Sequence, residues 1–246
     1  MKICDCEAYL PNSGNPYLCG DSFEPADLMR MVDEVDTEVI LTIPAPEAPL
    51  PGWEPTNNKT LKEAMDQYPG KILGCCIVDP RRGDEAVGEF RMTVEEWGFS
   101  GLKYSPGTEG TALALAQAAV DLQVPVTIHT NGSEASYAKI AELAGMLPEL
   151  VVVMEHMGYR FHVDLAIDVA REHPNVYLAP TVTAAAEPIA VKRAVRELGA
   201  GQMVFGSNAP WAAPRFGVQA IKRLGLSAEE EQLIFRENFR KIYRLD

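Results

Sequence analysis

Positive charge is scarce in this chain. Its 246 residues carry 22 Lys and Arg against 35 Asp and Glu, a formal net charge of −13. Nucleic acid and anionic membrane both demand a basic patch, so neither is expected as a main partner. A small anionic ligand is not excluded, because one or two local Arg or Lys residues suffice to hold it. Long apolar runs are missing too. No segment approaches the roughly 20 residues of a membrane-spanning helix. The first residues lack a basic segment followed by an apolar one, so no signal peptide is expected and the cytoplasm is the expected location. Cysteines number five, with no Cys-x-x-Cys spacing. That argues against a disulfide framework and for reduced thiols. No Gly-x-Gly-x-x-Gly loop follows any strand candidate, which disfavours a dinucleotide-binding sheet.

What remains is a large apolar fraction, 47%, enough for a sizeable core. Eight short apolar runs recur along the chain: "KICDCEAY", "EVILTIP", "KILGCCIVDP", "GLKYSP", "VPVTIHT", "LVVVMEH", "NVYLAPT" and "QMVFGSN". Their length and β-branched content read as strands buried on both faces. Helical spacing of apolar residues fills most of the gaps. Pro25 suits a first helical turn, Gly98 a helix stop, and Ser227 ahead of Glu230 a capping box. A helix over the final residues follows the eighth strand. Alternating strands and helices predict a parallel sheet, and a count of eight favours a closed (β/α)8 TIM barrel over an open sheet. No linker interrupts residues 1–246, so they are expected to form one domain. The Pro-rich stretch from Ala45 to Asn58 follows the second strand. It reads as either a lid or a plain surface excursion.

In a barrel the site is built at the C-terminal ends of the strands. There the sequence places Glu7 and Tyr9 (strand one), Lys103 (four), His129 (five), His156 (six) and Asn208 (eight). Only four histidines exist, and two of them close successive strands. Neighbouring strands lie about 5 Å apart, so both imidazoles can reach one ion, and imidazole is a common zinc ligand. The competing reading is a pair of ordinary hydrogen-bonded histidines. His162 and His173 sit at helix ends and read as structural.

These segments, in this order, resemble the amidohydrolase-related family, whose members include decarboxylases, hydratases and lactonases acting on small carboxylic acids. "MKICDCEAYL" resembles the family's opening strand, "GFSGLKYSP" its fourth, and "VPVTIHT" and "LVVVMEHMG" the strands carrying its metal-binding histidines. "ELGAGQMVFGSNAPW" and "LSAEEEQLIFRENFRKIYRL" resemble its close. Two departures stand out. The family's opening Asp-x-His-x-His reads here Asp5, Glu7 and Tyr9. Its eighth-strand acid is Asn208, and an amide cannot take up a proton near neutral pH. The resemblance implies one divalent metal, zinc foremost, held by Glu7, His129 and His156. Glu7, Lys103 and Asn208 are then the catalytic candidates, with Tyr9, Arg160 and Trp211 facing a small carboxylate substrate. It also implies that Asp5, Glu7 and Tyr9 line the barrel interior while Cys4 and Cys6, on the other side of the strand, pack against helices. The expected activity is a hydrolase or lyase. The alternatives are a metal-independent, lactonase-like hydrolase and a ligand-binding relative without turnover. A homodimer is the expectation for a barrel of this size.

Overall fold

Short β-branched runs cannot satisfy their backbone alone, and here each finds its partner in the next. The computed structural model describes residues 1–11, 18, 21–45, 56–130, 133–159 and 161–245. Seven strands form one parallel sheet in chain order: β1 (Ile3–Pro11), β2 (Thr37–Ala45), β3 (Ile72–Cys76), β4 (Gly101–Tyr104), β5 (Val126–His129), β6 (Val152–Glu155) and β7 (Val176–Ala179). The described helices are α1 (Pro25–Asp33), α2 (Thr56–Gln67), α3 (Asp84–Glu95), α4 (Gly110–Leu122), α5 (Glu134–Met146), α6 (Val163–Glu172), α7 (Val182–Ala186), α8 (Pro188–Leu198), α9 (Pro214–Lys222), α10 (Ala228–Gln232) and α11 (Asn238–Ile242). Pro25 opens α1, and Ser227 and Glu230 form the expected capping box on α10. None of these helices is long and apolar enough to cross a membrane. Of the stretch from Ala45 to Asn58, residues 46–55 lie outside the described residues.

The eighth expected strand is not a regular strand. Residues 203–209 close the sheet through single bridges, Leu178 to Met203 and Ala8 to Ala209. Val204 donates to the Leu178 carbonyl (3.0 Å), Cys6 to Phe205 (2.9 Å) and Tyr9 to Ala209 (2.6 Å). Two local causes break the ladder. Asn208 has φ +63°, and the Asp5 carboxylate takes the Ser207 N–H (2.8 Å) in place of a backbone carbonyl. The sheet still curls onto itself as a TIM barrel.

Alternation along the strands sorts the core into two layers. Ile40, Ile72, Leu102, Ile128, Met154 and Leu178 face outward against the helices. Val39, Leu41, Cys75, Val153, Tyr177 and Val204 face inward, with Phe239, Ile242 and Tyr243 from the C-terminal helix among them. That helix plugs one end of the barrel. Glu38 fixes it by accepting hydrogen bonds from Arg236 (2.8 and 3.2 Å) and Arg240 (3.0 Å).

Cys4 and Cys6 belong to the inner layer, contrary to expectation. The cause is a bulge. Asp5 pairs with Ile40 and Ala8 with Thr42, so two residues of β1 oppose one of β2. One extra residue reverses the alternation beyond it. Even positions, Cys4 and Cys6, therefore point inward before the bulge, and Tyr9 points inward after it. The thiols are buried among apolar side chains. Burial pushes Cys4 up to about 12 and Cys6 well above its ordinary value, so neither is a nucleophile. The sixth strand also ends one residue early. Glu155 is its last member, and His156 opens a 3-10 turn with φ +63°.

Candidate active site

Three adjacent strands and β1 deliver the polar groups to one rim. Register pairs His129 on β5 with Glu155 on β6, so both point inward at one level. Lys103 stands on β4, and Glu7 and Tyr9 rise from the bulged end of β1. The six groups form a closed circuit. Lys103 Nζ donates to Glu155 Oε2 and to the Tyr9 hydroxyl (3.1 Å). Tyr9 donates to Glu7 Oε1 (3.1 Å), which lies 3.8 Å from His156 Nε2. His156 Nε2 is 3.2 Å from His129 Nδ1, and that nitrogen is 3.7 Å from Glu155 Oε2. The ligating atoms of His129, Glu155 and His156 all lie within 4.8 Å of one another.

Burial sets the electrostatics. The Glu155 and Glu7 side chains are fully buried, and Lys103 is 6% exposed. His129, at 41%, forms the open wall. Burial opposes a charge on Glu155, but Lys103, with His129 and His156, outweighs it and holds the carboxyl well below its ordinary range. His156 moves the other way. Burial pushes it down to about 3, helped by His129 and Lys103 and resisted by Glu155, so its ring is neutral. Asp5 lies beside the circuit. Its Oδ1 accepts from the N–H groups of Glu7 (3.0 Å) and Ser207 (2.8 Å), while burial raises its carboxyl to about 6.

The sequence-derived candidates fall into three groups. Glu7, Tyr9, Lys103, His129 and His156 come together. Asn208 reaches the same rim through its backbone, donating to the Glu7 carbonyl (2.8 Å), and Trp211 is 39% exposed beyond it. Arg160 lies outside the described residues. Glu155 is not among the sequence-derived candidates, yet its carboxylate lies 3.7 Å from His129 and groups with both histidines. The signal was present in the alternation Val151, Val153, Glu155, which puts it on the inward face with His129. Thr181 and Tyr159, which hold the two histidines, had no signal at all.

A family profile described as amidohydrolase matches residues 53–245, most of the chain. The chain belongs to the amidohydrolase family. The matched stretch begins beyond β1, so it does not include the strand that carries Asp5, Glu7 and Tyr9. No curated protein sequence matches this amidohydrolase. Among solved structures, a 2,6-dihydroxybenzoate decarboxylase bound to 2,6-dihydroxybenzoate superimposes with a TM-score of 0.81 at 14% identity, covering 100% of both chains. A dihydroxybenzoic acid decarboxylase from Polaromonas sp. JS666, with bound manganese and 2-nitroresorcinol, gives 0.77 at 16% identity over 99% of this chain and 97% of that one. A 5-carboxyvanillate decarboxylase from Novosphingobium aromaticivorans, also with manganese, gives 0.76 at 16% over the same shares. At these identities the likeness is one of fold.

The donor set of this amidohydrolase fits a divalent ion. Two imidazoles and a carboxylate suit zinc, iron or manganese. Two nitrogens on one tetrahedral ion at about 2.0–2.1 Å stand about 3.3 Å apart, close to the 3.2 Å found between His156 Nε2 and His129 Nδ1. Glu155 Oε1 is buried with no hydrogen-bond partner among the described residues, as expected of an oxygen left for a ligand.

Proposed function

We propose that this amidohydrolase is a metal-dependent lyase or hydrolase acting on a small carboxylic acid, with decarboxylation of a hydroxybenzoate-type acid as the leading reaction. The observation that carries this reading is the convergence of His129, Glu155 and His156 within 4.8 Å at one rim of the barrel, with Glu7 beside them. These residues would hold one divalent cation, manganese or zinc. When bound, it would supply a Lewis acid for a carboxylate or phenolic oxygen.

The protein's own groups supply the rest. Neutral His156 and the Glu155 carboxylate, held ionised by Lys103, keep their lone pairs available at neutral pH. Lys103, paired with Glu155 and touching Tyr9, offsets part of the negative charge that would otherwise repel an acidic substrate. Tyr9 links Lys103 to Glu7, so a proton can pass along Lys103, Tyr9 and Glu7 without leaving the site. That run stands in for the acid absent at Asn208. His129 forms the exposed wall by which substrate enters, and Trp211, three residues past Asn208 and 39% exposed, is the aromatic side chain offered to it. The decarboxylase structures were solved with a dihydroxybenzoate or nitrophenolic ligands, which supports the substrate class.

A second reading has one observation in its favour. The Lys103 ammonium already neutralises Glu155, and a hydrolase using that cation would need no metal. Both readings meet one experiment: purified protein is stripped with chelator, reloaded with Mn²⁺ or Zn²⁺, and assayed for CO₂ release on a hydroxybenzoate panel and for lactone hydrolysis. Decarboxylation that vanishes with chelation and returns with one equivalent of metal is expected. Turnover indifferent to chelation would transfer the assignment to the metal-free reading, and failure to retain any divalent ion would remove the metal.

A further inference from the structure

We propose that Thr181 is a positioning residue that locks His156 in one tautomer, and that Tyr159 lets His129 exchange its tautomer when an ion binds. The proposal deepens the metal reading above: the Tyr159 exchange and the affinity measurement rest on that reading, and the Thr181 lock stands without it.

The two histidines and two hydroxyls form one directional chain. His156 Nδ1 lies 2.5 Å from Thr181 Oγ1 in a buried setting, and Nε2 lies 3.2 Å from His129 Nδ1. His129 Nε2 lies 3.4 Å from the Tyr159 hydroxyl. A neutral imidazole has one donor and one acceptor nitrogen. If His156 donates from Nδ1 to Thr181, its Nε2 accepts from His129 Nδ1–H, and His129 Nε2 accepts from Tyr159 O–H. Every member is then satisfied in the metal-free protein.

An ion between the histidines needs a lone pair on both facing nitrogens. His156 already presents one. His129 must move its proton from Nδ1 to Nε2, and only a partner able to reverse its role can follow. A phenol hydroxyl turns from donor to acceptor by rotation. Thr181 needs no change.

The backbone shows how firmly this arrangement is held. His156, Met157 and Tyr159 have φ of +63°, +49° and +49°, with Gly158 at +80° between them, and Thr181 has +42°. Left-handed non-glycine residues persist only where their surroundings over-determine them. Here Thr183 Oγ1 donates to the His156 carbonyl (2.7 Å), and Thr130 Oγ1 accepts from the Gly158 N–H (3.1 Å). Thr181 and Thr183 thus grip His156 at ring and backbone together. The Tyr159 ring lies against that of His156, with centroids 4.5 Å apart.

Imidazole ¹⁵N NMR on metal-free and Zn²⁺-loaded protein reads the tautomers directly, and calorimetric titration with Zn²⁺ reads affinity. In wild type, His156 should be Nδ1–H in both states, and His129 should pass from Nδ1–H to Nε2–H on loading. Thr181→Val keeps the β-branched shape without the hydroxyl. It should mix the His156 tautomers and weaken Zn²⁺ binding by about 10–100-fold, whereas Thr181→Ser should restore both. Tyr159→Phe leaves His156 unchanged and should bias His129 before loading, which keeps the idea testable should Thr181→Val fail to fold. His156 found as Nε2–H in wild type, or Thr181→Val matching wild type in tautomer and affinity, would overturn the proposal. A wild type that binds no Zn²⁺ but loses its Nδ1–H tautomer in Thr181→Val would remove the metal reading and uphold the Thr181 lock.

Discussion

Replacing Lys103 with methionine tests whether the centre of the site is an ion pair. The substitution keeps the stem of the side chain and removes its charge. Glu155 is fully buried and Lys103 nearly so, so water cannot take over the lost partner. Breaking such a pair from one side costs about 3–5 kcal/mol. With a urea slope of about 3 kcal/mol per M, a loss of 4 moves the unfolding midpoint down by about 1.3 M. Burial alone then acts on Glu155, so Lys103→Met with Glu155→Gln should recover most of the loss. The pH dependence has a definite sign. Lys103 and the histidines depress the folded Glu155 carboxyl from 4.5 to about 2, so its stabilisation is present above about 4.5 and disappears as pH falls towards 2. The gap between wild type and Lys103→Met should therefore be widest at neutral pH, begin to narrow above about pH 4.5 as the burial-raised carboxyl of the variant protonates, and go on narrowing towards about pH 2 as wild type loses its own stabilisation. Urea unfolding followed by circular dichroism at pH 7, 4 and 3 measures it. A loss near the 0–1 kcal/mol of a surface pair, or a double variant no more stable than Lys103→Met, would refute the reasoning.

Asp5 should behave with the opposite sign. Its folded carboxyl is raised from 3.8 to about 6 by burial, so its contribution is fully present below pH 3.8 and is lost as pH rises through 6. Thermal or urea unfolding across pH 4–8 should show wild type losing up to about 3 kcal/mol relative to Asp5→Asn over that range; parallel curves would count against it. Phe239→Ala empties the barrel's plugged end, where the ring is fully buried, and should cost about 3–5 kcal/mol in a urea titration. A loss under 1 would mean that the end is not packed as described.

The barrel was legible because alternation and helical spacing repeat along the chain and errors at single residues average out. The site was legible in part for a related reason. His129 and Lys103 end or interrupt apolar runs, and such breaks stand out. Glu155 was passed over because His156, next to it, looked like the strand end, and a one-residue shift changes which side chain faces inward. The β1 bulge left no trace in residue types, so strict alternation kept Cys4 and Cys6 opposite Tyr9, and the resemblance, in placing Tyr9 inward, put the cysteines on the wrong face. Thr181 and Tyr159 bring their hydroxyls to the histidines from backbone angles of the left-handed kind, which common residues adopt only when tertiary contacts impose them. Such positions cannot be read from residue type.

The seam between β1 and residues 203–209 has one more consequence. The other junctions of the sheet run as ladders of paired peptide groups. Here an N–H of the closing segment is held by a side chain, the carboxylate of Asp5. Closure of a barrel is what removes free strand edges, and free edges are templates for pairing with other chains. Asp5 therefore lies where the fold would first offer an edge to a neighbouring molecule, and a residue at position 5 without an acceptor oxygen would lose one of the few bonds that keep this protein from recruiting its own copies.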